Sequence, residues 1–267
     1  MIVLPALDPV AVQIGPLPVR WYGLMYALGF LAAWWLGRIR ARRPGALFDA
    51  RAVDDLVTWL ILGLVLGARV GNVLFYEPSH FLDRPLDMLA IWKGGMSFHG
   101  GALGVALVCW LFARRTKKTL LDVGDLITPL APPGLCAGRI GNFVNGELFG
   151  RPTDLPWGMV FPQSGPLPRH PSQLYEALLE GVALFVILWV YSGKPRPRGA
   201  VTGLFLLLYG LFRFGVEFAR EPDAQLGFVA LGWLTMGQLL CLPMIALGGL
   251  LLWLARRPRT SGSSRNG

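Results

Sequence analysis

The chain is 267 residues long; 54% of these are hydrophobic and only 15% are charged, yet the formal net charge is +9 at pH 7. A soluble domain carries about 25% charged residues and cannot keep so much apolar surface in water, which excludes a disordered chain, a secreted disulfide scaffold and a soluble enzyme of this size. With a mean hydropathy of +0.50, the sequence reads as an all-α integral membrane protein.

The segment from Met1 to Pro18 has prolines at 5, 9, 16 and 18 and no basic stretch of the signal-peptide kind, which predicts an irregular or interfacial leader that is retained. A hydrocarbon core of about 30 Å needs about 20 apolar residues per helix. The windows that qualify are 19–38, 53–75, 95–113, 121–143, 172–192, 200–219 and 232–255, giving seven transmembrane helices in one polytopic domain over 1–257. Arg69 lies inside the second window and Arg139 inside the fourth, which Pro129, Pro132 and Pro133 also interrupt. Gly63, Gly67 and Gly71 in the second window form a small-xxx-small stripe suited to close helix packing. Its Arg69-Val70-Gly71-Asn72 echoes Arg139-Ile140-Gly141-Asn142, a match too short to establish an internal duplication. Cys109, Cys136 and Cys241 lie in apolar windows and read as small buried residues, indicating neither a disulfide framework nor a metal site. The tail 258–267, Ser/Gly-rich from Thr260 onward, reads as disordered and cytoplasmic.

Lysine and arginine set the orientation. Arg38, Arg40, Arg42, Arg43 and Arg51 follow the first window; Arg114, Arg115, Lys117 and Lys118 the third; Lys194, Arg196 and Arg198 the fifth; Arg256, Arg257, Arg259 and Arg265 the seventh. These sixteen of the 25 basic residues fall on one face, against six on the other: Arg20, Arg84, Lys93, Arg151, Arg169 and Arg220. The bias predicts a cytoplasmic C-terminus and an N-terminus outside. Short clusters between apolar runs do not form the single basic patch that nucleic acid requires, so no nucleic-acid partner is expected. The longest connections, near 76–94 and 144–171, both fall on the outer side, where loops of that length tend to carry function.

An ionisable side chain inside a span costs a few kcal/mol, so each needs a reason. In the sixth window Tyr209, Arg213, Glu217 and Arg220 are spaced 4, 4 and 3 apart and share one helix face. They form either a self-neutralising ladder or an anion site in which Glu217 positions two guanidinium groups; two arginines against one glutamate leave a positive surplus that favours the second. The run from Gly138 to Gly150 contains Arg139 and Asn142 on one face among glycines, which serve either close approach of a ligand or helix packing and termination. His99, at the outer end of the third window, is either a packing residue or a proton acceptor. His80 and His170 read as surface loop residues, and three scattered histidines have no metal-ligand spacing. The directions of the windows bring Arg69, His99, Arg139, Glu147, Arg213 and Arg220 to the outer half of the bilayer, suiting an anionic lipid headgroup.

The run Gly138-Arg139-Ile140-Gly141-Asn142-Phe143-Val144-Asn145-Gly146-Glu147-Leu148-Phe149-Gly150 resembles the signature of the prolipoprotein diacylglyceryl transferase family. Arg20 to Tyr26, Gly95 to Gly101, Arg169 to Glu176, Tyr209 to Arg213 and Glu217 to Asp223 support the resemblance, which covers residues 8 to 257. It implies an enzyme of the bacterial inner membrane, with its active site toward the periplasm. That enzyme moves the diacylglyceryl group of phosphatidylglycerol onto the lipobox cysteine thiol of a prolipoprotein, releasing glycerol phosphate, and its thioether product passes to the lipoprotein signal peptidase. Tyr22, His99, Arg139, Asn142, Glu147, Gly150, Tyr209, Arg213, Glu217 and Arg220 are the positions the resemblance singles out. On this reading His99 deprotonates the thiol and Arg139 and Arg213 stabilise the leaving phosphate. Glu217 orients Arg213 and Arg220, and Tyr22, Tyr209 and Asn142 hold the headgroup. No metal or organic cofactor is implied. The competing function is a transporter or binding protein for anionic lipids; an intramembrane protease lacks a separated Ser/His pair, since Ser97 is two residues from His99.

Overall fold

A computed structural model describes every residue except 1, 6, 16, 76–83, 85, 86, 88–94, 223–226 and 258–267. The chain is mostly helical: α1 (Trp21–Ala41), α2 (Ala50–Phe75), α3 (Phe98–Arg115), α4 (Leu120–Ile127), α5 (Pro132–Val144), α6 (Ser172–Tyr191), α7 (Ala200–Val216) and α8 (Met236–Arg256). Among the described residues α2, α6 and α8 are long and apolar enough to cross a membrane, and α7 is a shorter apolar helix. Apolar side chains face outward along these helices, for example Leu62, Leu66, Val186, Val190, Leu240 and Leu247, as befits a helical protein whose solvent is lipid.

Six of the seven expected windows each hold one helix. The fourth does not: residues 121–143 are split between α4 and α5, because Pro129 interrupts the chain and Pro132 and Pro133 occupy the first turn of α5, where a missing N–H is harmless. The sixth ends early, at Val216, and a turn carries Glu217 to Arg220 onward. α6 is continuous, but its middle turn, Ala177–Ala183, is π-helical. The glycine stripe of α2 packs on α3 as expected, against glycines there: a Cβ on Gly67 would lie 2.5 Å from the Gly100 carbonyl oxygen and 2.9 Å from Gly104 Cα.

Strands qualify the all-α expectation at one end of the bundle. The N-terminal segment is not irregular: β1 (Ile2–Val3) pairs in parallel with β4 (Met159–Val160), and β2 (Val10–Ile14) and β3 (Leu17–Arg20) form an antiparallel hairpin leading into α1. β5 (Phe228–Ala230) and β6 (Leu234–Thr235) pair between α7 and α8. The opposite end is basic and aromatic. There Arg38 lies over Trp34, Arg40 and Arg43 over Trp189, Arg115 over Trp59, Arg196 over Tyr191 and Arg257 over Trp253. At that end Asp125 of α4 caps α7, accepting from Gly199 N at 2.6 Å and Thr202 N at 2.8 Å. Most of the connection 76–94 lies outside the described residues, as does the tail 258–267.

Candidate active site

α5 presents Arg139 and Asn142 three residues apart. Beyond its last turn Gly146 has φ +66°, a conformation that favours glycine, and the chain reverses there. Glu147 returns toward the helix: its carboxylate accepts from Asn142 Nδ2 at 2.8 Å and Asn145 Nδ2 at 3.3 Å, and its amide donates to the Asn142 carbonyl at 3.0 Å. α6 locks the same turn, Gln173 Nε2 donating to the Glu147 carbonyl at 2.6 Å and Ser172 Oγ to that of Leu148 at 3.0 Å. Tyr22 of α1 lies beside Gly141, with its hydroxyl 3.1 Å from that of Tyr26, and feels the charges of Glu147 and Arg139.

The charged centre is assembled by three helices around one carboxylate. Glu176, fully buried on α6, meets Arg139 Nε at 3.3 Å, Arg220 Nη1 at 3.6 Å and Arg213 Nη1. Glu180, in the π-helical turn, faces Arg139 Nη2 at 3.6 Å. Glu217 pairs with Arg213 Nη2 at 2.9 Å and accepts from Thr235 Oγ1 at 3.0 Å. Tyr209, one turn before Arg213, stacks on Phe205 and lies in the field of Arg139, Arg213, Glu176 and Glu180.

Exposure within this centre is layered. The side chains of Arg139, Arg213 and Arg220 are 18%, 13% and 13% exposed, those of Glu176, Glu180 and Glu217 0%, 0% and 7%. The arginine side chains are thus the more accessible layer and the carboxylates the more deeply buried one. Each guanidinium has five donors in a planar fork, enough to hold its carboxylate and still grip a phosphate. The surplus charge expected from Arg213, Glu217 and Arg220 is absent, since three carboxylates face three guanidinium groups; the layering takes its place as the anion-binding feature.

Glu176 and Glu180 are the residues sequence reasoning missed as site groups. Their signal was available, two acidic side chains inside the apolar window 172–192, but their partners are on α5 and α7, and spacing along one helix cannot reveal a pair made between helices. Gly150 acts through its backbone: it forms a bridge with Arg220 and its amide donates to the His170 carbonyl at 2.9 Å, while a Cβ there would strike the Ala219 carbonyl and lie 2.6 Å from His170 Cβ. His170 is therefore no free surface residue; it is half-buried, with Nδ1 3.2 Å from the Tyr175 hydroxyl, and burial pushes its pKa below the ordinary histidine value. Arg69 is buried and donates to the carbonyls of Gly95, at 3.0 Å, and Asp87. His99 is exposed on the first turn of α3, its ring edge-on to Phe98 at 5.7 Å, and among the described residues no hydrogen bond or ion pair joins it to the arginines.

Known proteins match nearly the full chain in sequence. The family model described as prolipoprotein diacylglyceryl transferase matches residues 9–254. A protein of Oleidesulfovibrio alaskensis named phosphatidylglycerol–prolipoprotein diacylglyceryl transferase is 66% identical over 252 residues, 94% of either chain. Proteins of the same name from Nitratidesulfovibrio vulgaris and Coxiella burnetii are 61% and 60% identical, each over 96% of this chain and over 96% and 98% of their own.

Proposed function

We infer the reaction from the family to which the chain belongs, that of the prolipoprotein diacylglyceryl transferases: it is a membrane transferase that carries a diacylglyceryl group from phosphatidylglycerol to a prolipoprotein. The acceptor is the thiol of the lipobox cysteine, which the substrate brings itself, so no enzyme nucleophile is needed. The thiolate attacks the sp³ carbon that bears the phosphoester; a C–S bond forms, the C–O bond breaks, and glycerol phosphate leaves with the electron pair. A thiol of ordinary pKa about 8.5 must first lose its proton. We assign that step to His99, whose exposure at the start of α3 suits a group that meets an incoming peptide.

Arg139, Arg213 and Arg220 neutralise the phosphate as its charge grows, a preorganised electrostatic role. The layering of partly exposed arginines over buried carboxylates is the observation that carries this reading. Glu176 and Glu217 act as positioning residues for the arginines. Tyr22, Tyr209 and Asn142 contact the headgroup, with Glu147 holding Asn142, and Gly150 keeps the outer loop against the end of α7. The bundle crosses the bacterial inner membrane seven times, α4 and α5 together making one crossing, with the N-terminus and the arginine centre toward the periplasm and the C-terminus in the cytoplasm. The sixteen-to-six bias of basic residues and the aromatic partners of the basic ends support this orientation.

The deciding experiment incubates the purified protein with phosphatidylglycerol and a lipobox peptide and analyses the peptide by mass spectrometry. A thioether-linked diacylglyceryl adduct with release of glycerol phosphate is expected. Retention of phosphatidylglycerol without any adduct would leave a lipid transporter or binding protein as the function.

A further inference from the structure

A cleft of about 1060 Å³ lies not at the arginine centre but at the opposite ends of the helices. It opens between the end of α1, the beginnings of α4 and α7 and the ends of α6 and α8. Along α7, Val201 in its wall and Arg213 in the charged centre are twelve residues apart, about 18 Å at 1.5 Å per residue. One headgroup cannot occupy both.

Six basic side chains line the cleft, Arg40, Arg43, Lys194, Arg196, Arg198 and Arg257, against two carboxylates. Both carboxylates are engaged: Asp122 with Arg198 Nε at 2.7 Å, and Asp125 with the first turn of α7. Part of the basic wall is held in place. Arg40 donates to Ser192 Oγ at 2.7 Å and to its carbonyl at 3.1 Å, and Arg40 and Arg43 both lie over the Trp189 ring. Lys194, by contrast, has no hydrogen bond or ion pair among the described residues, and Arg196, lying over the Tyr191 ring, makes one hydrogen bond, from Nε to the Tyr191 carbonyl. Val201, Leu251 and Leu254 add apolar side chains to the lining, and Leu254 is exposed. Charge surplus calls for an anion, and apolar lining on α8, whose Leu247, Leu250, Trp253 and Leu254 are all exposed, calls for one that carries hydrocarbon.

We propose that this cleft is a second, non-catalytic site for an anionic phospholipid, which enters from the leaflet opposite the arginine centre and places its phosphate among Arg43, Lys194 and Arg196. The site rests on membrane embedding alone and not on the transfer reaction. The lipid bridges the ends of α1, α6 and α8 at the point where their basic side chains would otherwise repel one another.

Native mass spectrometry of the full-length protein in detergent, with phosphatidylglycerol or phosphatidylcholine added, tests it. The unchanged chain is expected to retain two phosphatidylglycerol molecules, the triple variant Arg43→Gln/Lys194→Gln/Arg196→Gln one, and Arg213→Ala one. The triple variant keeps its transferase activity, while the charge-retaining pair Arg43→Lys/Arg196→Lys keeps both lipids. Because the cleft variant and Arg213→Ala remove different lipids, failure at one site is distinguishable from failure at the other. The proposal is overturned if the unchanged chain retains no more than one phosphatidylglycerol. Equal retention of phosphatidylcholine at the cleft, or loss of the cleft lipid to millimolar inorganic phosphate, would overturn it too, the latter in favour of a soluble-anion site.

Discussion

Glu176 is the hinge of the site's chemistry. A carboxylate with no exposed surface is tolerable in an apolar helix because three guanidinium groups share it, and the same sharing fixes those groups relative to one another. Glu176→Gln keeps the shape and removes the charge, so it is expected to lower kcat about tenfold or more, with a smaller change in KM for phosphatidylglycerol; equal changes in both would mean that Glu176 contributes only binding. Arg139 grips two carboxylates with different nitrogens, Nε and Nη2, a geometry a lysine ammonium cannot reproduce. Arg139→Lys is therefore expected to lose activity by about 10², and full activity would refute the planar-fork argument. His99→Gln is expected to lose most activity near neutral pH; if that variant is near normal while Arg139→Ala and Arg213→Ala are inactive, the thiol loses its proton to another group. Burial holds His170 below its ordinary pKa of 6.5, so as pH falls below that value the unfolded chain takes up a proton that the folded chain does not, and stability is lost. His170→Gln is expected to flatten the acid side of a plot of melting temperature against pH. Arg139, Arg213, Glu217 and Arg220 were legible because a charge in an apolar run announces itself. The identity of its partner was not, because Glu176 lies 37 residues from Arg213 in sequence and on another helix.

Most helices lie close to where hydropathy put them, because the need to span a hydrocarbon layer acts on length and composition, which a sequence displays directly. The failures were local and have steric causes. Pro129, Pro132 and Pro133 break the fourth window although its hydropathy is continuous, and the leader that looked irregular pairs through backbone groups to which hydropathy is blind. The glycine stripe of α2 was readable as a packing face, but its docking against Gly100 and Gly104 of α3 depends on the turn-by-turn phase of two helices. That contact leaves no room for a side chain. Gly67→Val is expected to destabilise the protein by about 3 kcal/mol or more in reversible unfolding, whereas Gly249→Ala in α8, with open space around it, should leave stability unchanged or raise it by up to about 1 kcal/mol. Similar losses in the two variants would mean that α2 and α3 are not in backbone contact.

The molecule has two unlike poles. One carries the strand pairs, the connection 144–171 and the arginine centre; the other carries the basic and aromatic helix ends and the cleft. If the first faces the periplasm, an impermeant maleimide should label Asp154→Cys in intact cells and Arg51→Cys only after the membrane is opened; the reverse pattern would invert the orientation. The polarity was legible in the lysine and arginine count, whereas the way α6 serves both poles was not. Its π-helical turn, Ala177–Ala183, adds one residue to an otherwise regular helix. Glu176 stands immediately before that turn and Trp189 and Ser192 after it, so the extra residue sets the angle between the carboxylate that gathers the arginines and the groups that seat Arg40 and Arg43. Removing a single residue from the α-helical turns on either side, where no wide turn absorbs the change, would rotate one half of α6 against the other by about 100°, and no position of the helix could then satisfy both ends. α6 is in this sense a keyed shaft: neither pole can be re-indexed without unseating the other, and a frame-preserving loss of one codon there would do more harm than many substitutions.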